Sequence, residues 1–143
     1  MLSVHQIELV QGSFASIALS SEQVARTFYA RLFEMDPSLR GLFRGPLPDQ
    51  GYKLMQMIGT AVMGLDRIQE LVPAIEDLGR RHISYGVEKS HYNTVGAALL
   101  WTLEAALGDE FTPELREAWA AVYGVLAGTA TAAYDQPEGV ILE

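Results

Sequence analysis

Cysteine is absent from this chain of 143 residues. Disulfides, thiolate-held zinc, iron–sulfur clusters and thioether-attached haem are thereby excluded, because each needs cysteine sulfur. Basic residues are scarce: 10 Lys and Arg against 18 Asp and Glu leave a formal net charge of −8. Nucleic acids and anionic membranes are held by clustered positive charge, so neither is expected as a partner. Strand patterning is missing too, with no sustained alternation and no Asn-Gly or Asp-Gly hairpin turn. The opening residues, Met1 to Gln6, contain neither a basic segment nor a long apolar run. No secretory signal is read there, and a cytoplasmic location is the default expectation.

Long hydrophobic runs are also few. Ala118 to Tyr134 carries no charge, but Gly124, Gly128, Thr129 and Thr131 make it too weakly apolar to insert well into a bilayer. A buried helix is the better reading. Gly124 and Gly128 share one face of it and would let a second helix approach, in ordinary core packing rather than in a dimer.

What is present is helix nearly throughout. The length suits one domain over 1–143, with a frayed tail after about residue 135. Ser3 with Gln6 has the form of a capping box, and Ile7, Val10, Phe14 and Ile17 follow at helical spacing. Ser20 with Gln23 predicts a second cap, ahead of a stripe of Val24, Phe28 and Leu32 with Tyr29 beside it. Asp36-Pro37 supplies an N-cap and a first-turn proline for a short helix ending near Phe43. Arg44-Gly45-Pro46-Leu47-Pro48 turns a corner. Asp49 is expected to cap the next helix, with Gln50, Leu54, Met57, Ile58, Ala61 and Leu65 on its inner face. Pro73 predicts the start of another helix, carrying Ile75, Leu78 and His82 on one stripe and ending at Gly86. Ser90 is expected to cap a helix of Tyr92, Val95, Leu99 and Leu103, closed by Gly108. Thr112-Pro113 opens the last, with Leu115, Trp119, Val122 and Leu126 inward.

Three groups in this order outline a flat apolar slot with one metal-binding side chain: Leu42-Phe43 with Pro46, Gln50-x-x-Lys53-Leu54, and Arg80-Arg81-His82. A lone helical histidine is more often a surface residue than a ligand. His82, however, shares its stripe with Leu78 and Ile75, which suit the underside of a flat macrocycle.

Six segments carry a family resemblance along nearly the whole chain. They are Thr27 to Phe33, Leu42-Phe43, Gln50-x-x-Lys53-Leu54, Arg80-Arg81-His82-x-x-x-Gly86-Val87, His91-Tyr92-x-x-Val95-Gly96 and Ala118-Trp119-x-x-Val122-Tyr123-Gly124. The chain resembles a single-domain bacterial globin, similar to the haem domain of flavohaemoglobins. It does not resemble the truncated globins, because its first helix is intact and the glycine pairs of that class are missing. The resemblance implies an all-α globin fold, a three-on-three helical sandwich around haem b.

It also implies roles for individual residues. His82 is the proximal iron ligand, with its other ring nitrogen donating to a carbonyl near Leu78. Phe43 stacks on the cofactor. Tyr29 and Gln50 are the distal pair and donate to a bound gas; Leu54 bounds the same space. Leu78, Val87, Tyr92 and Val95 complete the cofactor's surroundings, and Lys53, Arg81 and His91 are candidates for its propionates. The family also places a glutamate beside the proximal tyrosine, where its carboxylate polarises the imidazole. This chain has Tyr92 for the tyrosine but Tyr134 at the glutamate position, so the assistance would need a carboxylate from a neighbouring residue.

The resemblance implies dioxygen, nitric oxide and carbon monoxide as ligands. Two functions follow from it: dioxygenation of nitric oxide to nitrate, or oxygen storage and delivery. No flavin or nicotinamide domain follows in the 143 residues, so an external reductase is expected. For the same reason a haem sensor, which needs an output domain, is the weaker reading.

Overall fold

The computed structural model describes residues 2–135. The expected tail after about 135 lies outside the described residues. Six α-helices carry the fold: α1 Val4–Ala18, α2 Ser21–Met35, α3 Leu47–Met63, α4 Ile68–Ser84, α5 His91–Leu107 and α6 Pro113–Thr131. Short 3-10 turns at Pro37–Leu42, Leu65–Arg67, Gly108–Glu110 and Ala132–Asp135 complete it, and no strand occurs among the described residues.

Two layers of three cross each other. α1 and α4 rest on α6 and α3 rests on α2, while α2 and α5 pack side by side. This is the expected all-α, three-on-three arrangement. The core between the layers is built from the stripes legible in the sequence. Val10, Phe14 and Ile17 of α1, Val24, Phe28 and Leu32 of α2, Leu99 and Leu103 of α5, and Leu115, Trp119 and Val122 of α6 are all buried. Trp119 also satisfies its indole N–H: it donates to the Ser13 hydroxyl at 2.8 Å, tying α6 to α1. The Gln11 amide donates to the Val62 carbonyl at 3.0 Å and ties α1 to α3.

Local signals set most helix ends. Ser3 and Gln6 form the reciprocal capping box. The Asp36 side chain accepts from the Ser38 N–H, and the Thr112 hydroxyl accepts from the Leu115 N–H. Gly86, at φ 93°, closes α4: its N–H donates to Ile83 and the Val87 N–H donates to His82.

Several expectations are corrected. Ser20 and Ser90 stand at the expected N-terminal positions, but neither side chain makes a capping bond. Asp49 is not a cap, because α3 already starts at Leu47 and Asp49 lies in its first turn. Two prolines within two residues set helical φ in advance there, which outweighs the acidic signal. α4 begins at Ile68, and Pro73 lies inside it. An internal proline removes a hydrogen bond and costs roughly 3 kcal/mol. Packing offsets this: Ile68 joins the core cluster, and Leu71 lies against Gly64.

The inner face of α3 is displaced as well. Gly51, Met55 and Val62 are buried, Gln50, Leu54, Ile58 and Ala61 are half-buried, and Met57 is exposed. Leu65 is buried, but in the turn after the helix.

The small-residue contact also sits elsewhere. No atom lies within 4 Å of where a Cβ on Gly124 or Gly128 would stand, so these two glycines admit no neighbouring helix. The close approach is at Gly79, the one fully buried residue of α4, where an added Cβ would stand 1.9 Å from the Ala130 carbonyl oxygen. The Ala118–Tyr134 stretch runs through α6, which packs on α1, α4 and α5, into the 3-10 turn that follows it. Among the described residues no helix is long and apolar enough to cross a membrane.

These two glycine environments predict opposite mutational effects. Gly79→Ala should force α4 off α6 and lower the urea unfolding free energy by about 2–3 kcal/mol, as overpacking does. Gly124→Ala should raise it by roughly 0.5–1 kcal/mol, because alanine is the better helix residue and meets nothing there. Equal effects at both positions would contradict the packing described.

Candidate functional site

One wall of the site is built where α2 meets the start of α3. Gly51 makes this possible: a Cβ there would stand 2.9 Å from the Ala25 Cβ. The close approach brings the backbone of Gln50 to the Tyr29 hydroxyl, which donates to the Gln50 carbonyl at 3.2 Å. Tyr29 is buried among aromatics. Its ring meets Phe28 edge-on at 5.3 Å, Phe43 edge-on at 5.2 Å and Phe33 stacked at 5.8 Å. Burial pushes its phenol up to about 12, so it remains a proton donor throughout the neutral range. The Gln50 side chain turns to the corner, where its amide donates to the Arg44 carbonyl. Leu54, one turn along α3, is half-buried, and Lys53 is exposed.

The opposite wall is α4. The His82 ring nitrogen Nδ1 lies 2.7 Å from the Leu78 carbonyl oxygen. A carbonyl can only accept, so Nδ1 carries the proton and Nε2 of the neutral ring keeps its lone pair. Ile75, Leu78 and His82 are all half-buried along one stripe. Arg81 is exposed and pairs with Asp77, Nε to Oδ2, at 3.3 Å. Val87, half-buried just past the helix, donates its N–H to the His82 carbonyl.

α5 supplies Tyr92 and Val95, both half-buried. The Tyr92 ring stands 6.2 Å from that of His82 and 6.0 Å from that of Tyr134. Its backbone is held by the Tyr123 hydroxyl, which donates to the Tyr92 carbonyl at 2.6 Å. Its own hydroxyl is buried without a hydrogen-bond partner among the described residues. Burial raises its pKa, and the neighbouring Tyr134 adds to the rise. His91 accepts the Glu88 N–H on Nδ1 at 2.9 Å, which leaves a proton on Nε2 of the neutral ring.

The structure thus brings Tyr29, Phe43 and Gln50 together on one side, and Leu78, His82, Val87 and Tyr92 on the other. The two walls meet where Leu42, at the end of the 3-10 turn, approaches Gly86. Leu54 and Val95 pack on the core cluster. Lys53 and Arg81 stay at the rim. Sequence reasoning overlooked Phe33, although its place one turn after Tyr29 on α2 could have identified it. It also overlooked the hydroxyls of Tyr123 and Tyr134, whose partners are distant backbone carbonyls that no local pattern reveals.

The donor set fits haem. Among the described residues no three His, Asp or Glu side chains converge to hold a metal ion. A single histidine nitrogen set among leucine, isoleucine and valine suits an iron that arrives with four ligands of its own in a flat ring.

The globin family model matches residues 26–130. The chain is 29% identical over 145 residues to a flavohemoprotein of Bacillus subtilis, covering 96% of this chain and 36% of that protein. It is 32% identical over 130 residues to a flavohemoprotein of Rhodopirellula baltica, covering 89% and 32%. It therefore spans about a third of the length of these flavohemoproteins. With the neuroglobin of Tetraodon nigroviridis the identity is 32% over 142 residues, covering 90% of this chain and 89% of that one. Among solved structures, an engineered carbene transferase built on a nitric oxide dioxygenase candidate of Rhodothermus marinus superposes with a TM-score of 0.85. The sequence identity is 28%, and both chains are covered completely. Half-buried walls around one free histidine nitrogen, a three-on-three fold and these matches agree: the chain belongs to the globin family.

Proposed function

We propose that this globin binds haem b through His82 Nε2, binds oxygen reversibly beneath Tyr29 and Gln50, and converts nitric oxide to nitrate with electrons from an external reductase. The observation that carries this reading is the His82 geometry. Nδ1 is committed to the Leu78 carbonyl at 2.7 Å, so the nitrogen with a free lone pair is Nε2, on the stripe of half-buried apolar residues. When bound, haem would supply an iron able to take a diatomic gas and the redox chemistry that turns oxygen, nitric oxide and one electron into nitrate.

The protein's part is to bind, orient and protect. Leu78, Val87 and Val95 line the cofactor and Phe43 stacks on it. Lys53, Arg81 and His91 are the candidates to meet its carboxylates. The Tyr29 bond to Gln50 is long at 3.2 Å, against about 2.7–2.8 Å for a strong O–H···O bond. Rotation about the phenol C–O bond redirects that proton to a gas in the pocket at small cost. Gln50 must release Arg44 before it donates, so Tyr29 is the leading donor. A partly negative oxygen molecule gains from this donor more than carbon monoxide does.

Oxygen storage or delivery, without dedicated turnover, is favoured by a different observation. Among the described residues no carboxylate hydrogen-bonds to His82 or Tyr92, and position 134 is a tyrosine directed elsewhere. The carboxylate contact that would draw the imidazole toward imidazolate is thus not made among the described residues.

His82→Ala should lose most haem or bind it only with added imidazole, read from the ferrous absorption spectrum. Full retention with an unchanged spectrum would remove His82 as the ligand.

Tyr29→Phe should raise the oxygen dissociation rate about tenfold to a hundredfold, from the roughly 1.5–3 kcal/mol of a hydrogen bond to a charged acceptor. The carbon monoxide rate should change much less. A phenol raised to about 12 stays protonated, so the Tyr29 contribution should be constant between about pH 6 and about pH 9. Equal effects on both gases would indicate altered access instead.

Supplied with a generic reductase, a dedicated dioxygenase should consume nitric oxide through many turnovers while keeping its haem. A single turnover followed by a stalled ferric form would favour oxygen storage or delivery.

A further inference from the structure

Positive charge is unevenly placed on this acidic chain. Between residues 37 and 65, Arg40, Arg44 and Lys53 stand against Asp49 alone. Between 80 and 91, Arg80, Arg81 and Lys89 stand against Glu88 alone. The rest of the chain carries the acidic excess behind the net charge of −8. The fold brings the two basic segments together. Leu42, between Arg40 and Arg44, lies 3.5 Å from where a Cβ on Gly86, between Arg81 and Lys89, would stand. Both segments therefore border the opening between the two walls of the site. Their charges are not equally engaged. Arg80 and Arg81 share Asp77, and Lys89 holds Asp135. Arg40, Arg44 and Lys53 are exposed and pair with no carboxylate among the described residues. Arg67 and Arg116 are unpaired as well, but each has an acidic neighbour in sequence, Asp66 and Glu117. The Arg40 guanidinium stands over the Phe33 ring at 5.7 Å, and the Arg44 carbonyl is held by the Gln50 amide. Lys53 follows on α3, in the turn after Gln50. Two exposed rings lie on the same helices: Tyr52 beside Lys53, and Tyr85, whose ring is 6.2 Å from that of His82.

We propose that the corner of Arg40, Arg44 and Lys53 is the docking surface of the electron donor, a one-electron carrier with an acidic face around its own flavin or iron–sulfur group. This deepens the proposed function and rests on it for the electron's destination. The donor gives up one electron and ferric iron becomes ferrous; no bond or proton changes hands. Clustered cations steer an oppositely charged partner and raise association roughly 10- to 1,000-fold. An acidic face drawn to this corner meets the protein at the opening of the site, and the acidic remainder of the chain repels it from every other approach. Tyr52 and Tyr85 supply the aromatic contacts in which docking surfaces are enriched, beside the arginines that they favour. An anionic membrane is the poorer fit. Such membranes are held by about four to eight clustered basic residues. Here three are unpaired, and the acidic excess opposes a broad anionic plane. A compact acidic protein face covers the corner alone.

The test uses the full chain, with and without haem, and flavodoxin as the acidic carrier. Arg116→Gln is the control for net charge, since Arg116 is exposed and unpaired on α6. Without haem, oxidised flavodoxin titrated into the isotope-labelled chain should shift the amides of residues 40–53 and of the Gly86 turn. Binding should weaken about tenfold between about 20 and about 200 mM salt, as screening of exposed charges implies. Arg40→Gln and Arg44→Gln should each raise the dissociation constant about two- to fivefold, and Arg116→Gln by less than about 1.5-fold. With haem, reduced flavodoxin should reduce the ferric form about three- to tenfold more slowly in the double variant Arg40→Gln/Arg44→Gln. Photoreduced lumiflavin, a small neutral donor, should reduce variant and parent at the same rate. Equal weakening by Arg116→Gln would overturn the proposal, because it marks net charge rather than a docking surface. So would shifts confined to other helices, or phosphatidylglycerol vesicles that bind through the same arginines more tightly than flavodoxin does. Failure of the parent to take up haem would end the haem reading, while the flavodoxin titration of the haem-free chain would still decide the docking surface.

Discussion

The backbone contact between α4 and α6 sets the geometry on which the site depends. Gly79 has no side chain, so α4 comes within a distance of Ala130 that no other residue would allow. The contact is backbone against backbone, with Gly79 facing the Ala130 carbonyl, and its role is geometric. With the helix that close, the Ala132–Asp135 turn can reach past its end, and the Tyr134 hydroxyl can meet the Val87 carbonyl. A wider spacing would leave that carbonyl without its partner and the end of α4 free to turn. His82 sits one turn beyond the contact and inherits its placement.

The other wall is made by the same device with different chemistry. Gly51 lets α3 close on α2, and the result is again a tyrosine hydroxyl on a backbone carbonyl, Tyr29 on Gln50. Here the neighbours are rings. Phe28, Phe33 and Phe43 surround Tyr29 at edge-on or stacked distances, so the phenol is rigid while its proton remains free to rotate. The two walls therefore differ in kind. The Tyr134 bond is short, at 2.6 Å, and the Tyr29 bond is long, at 3.2 Å.

Much of the candidate site was legible before any coordinates, and the reasons are local. His82, Leu78 and Ile75 share a stripe by helical spacing alone. The Nδ1–Leu78 bond follows from a four-residue separation in a helix. Tyr29 lies beside an obvious core stripe, and Phe43 closes a short helix just ahead of the Gly45-Pro46 corner. Three signals misled for an equally physical reason: local propensity met a stronger tertiary term. Pro73 reads as a helix start, but packing of Ile68 and Leu71 extends α4 ahead of it. Asp49 reads as a cap, but Pro46 and Pro48 let the helix begin earlier. Gly124 and Gly128 read as a contact face, but that face of α6 is open, and the glycine that mattered was Gly79.

The sequence by itself determined what depends on near neighbours. This includes the helical class, most helix ends, the core stripes, the absence of cysteine and of excess basic charge, and the histidine that shares an apolar stripe. Periodicity and capping act within a few residues, so one chain suffices to read them. Tertiary structure decided what depends on residues far apart. It chose which glycines meet a neighbour, turned the Gln50 amide toward Arg44, left the Tyr92 hydroxyl without a partner and gave the Tyr134 proton to Val87, 47 positions away. Those outcomes turn on angstrom-scale distances between helices, and such distances arise only when all six helices pack at once.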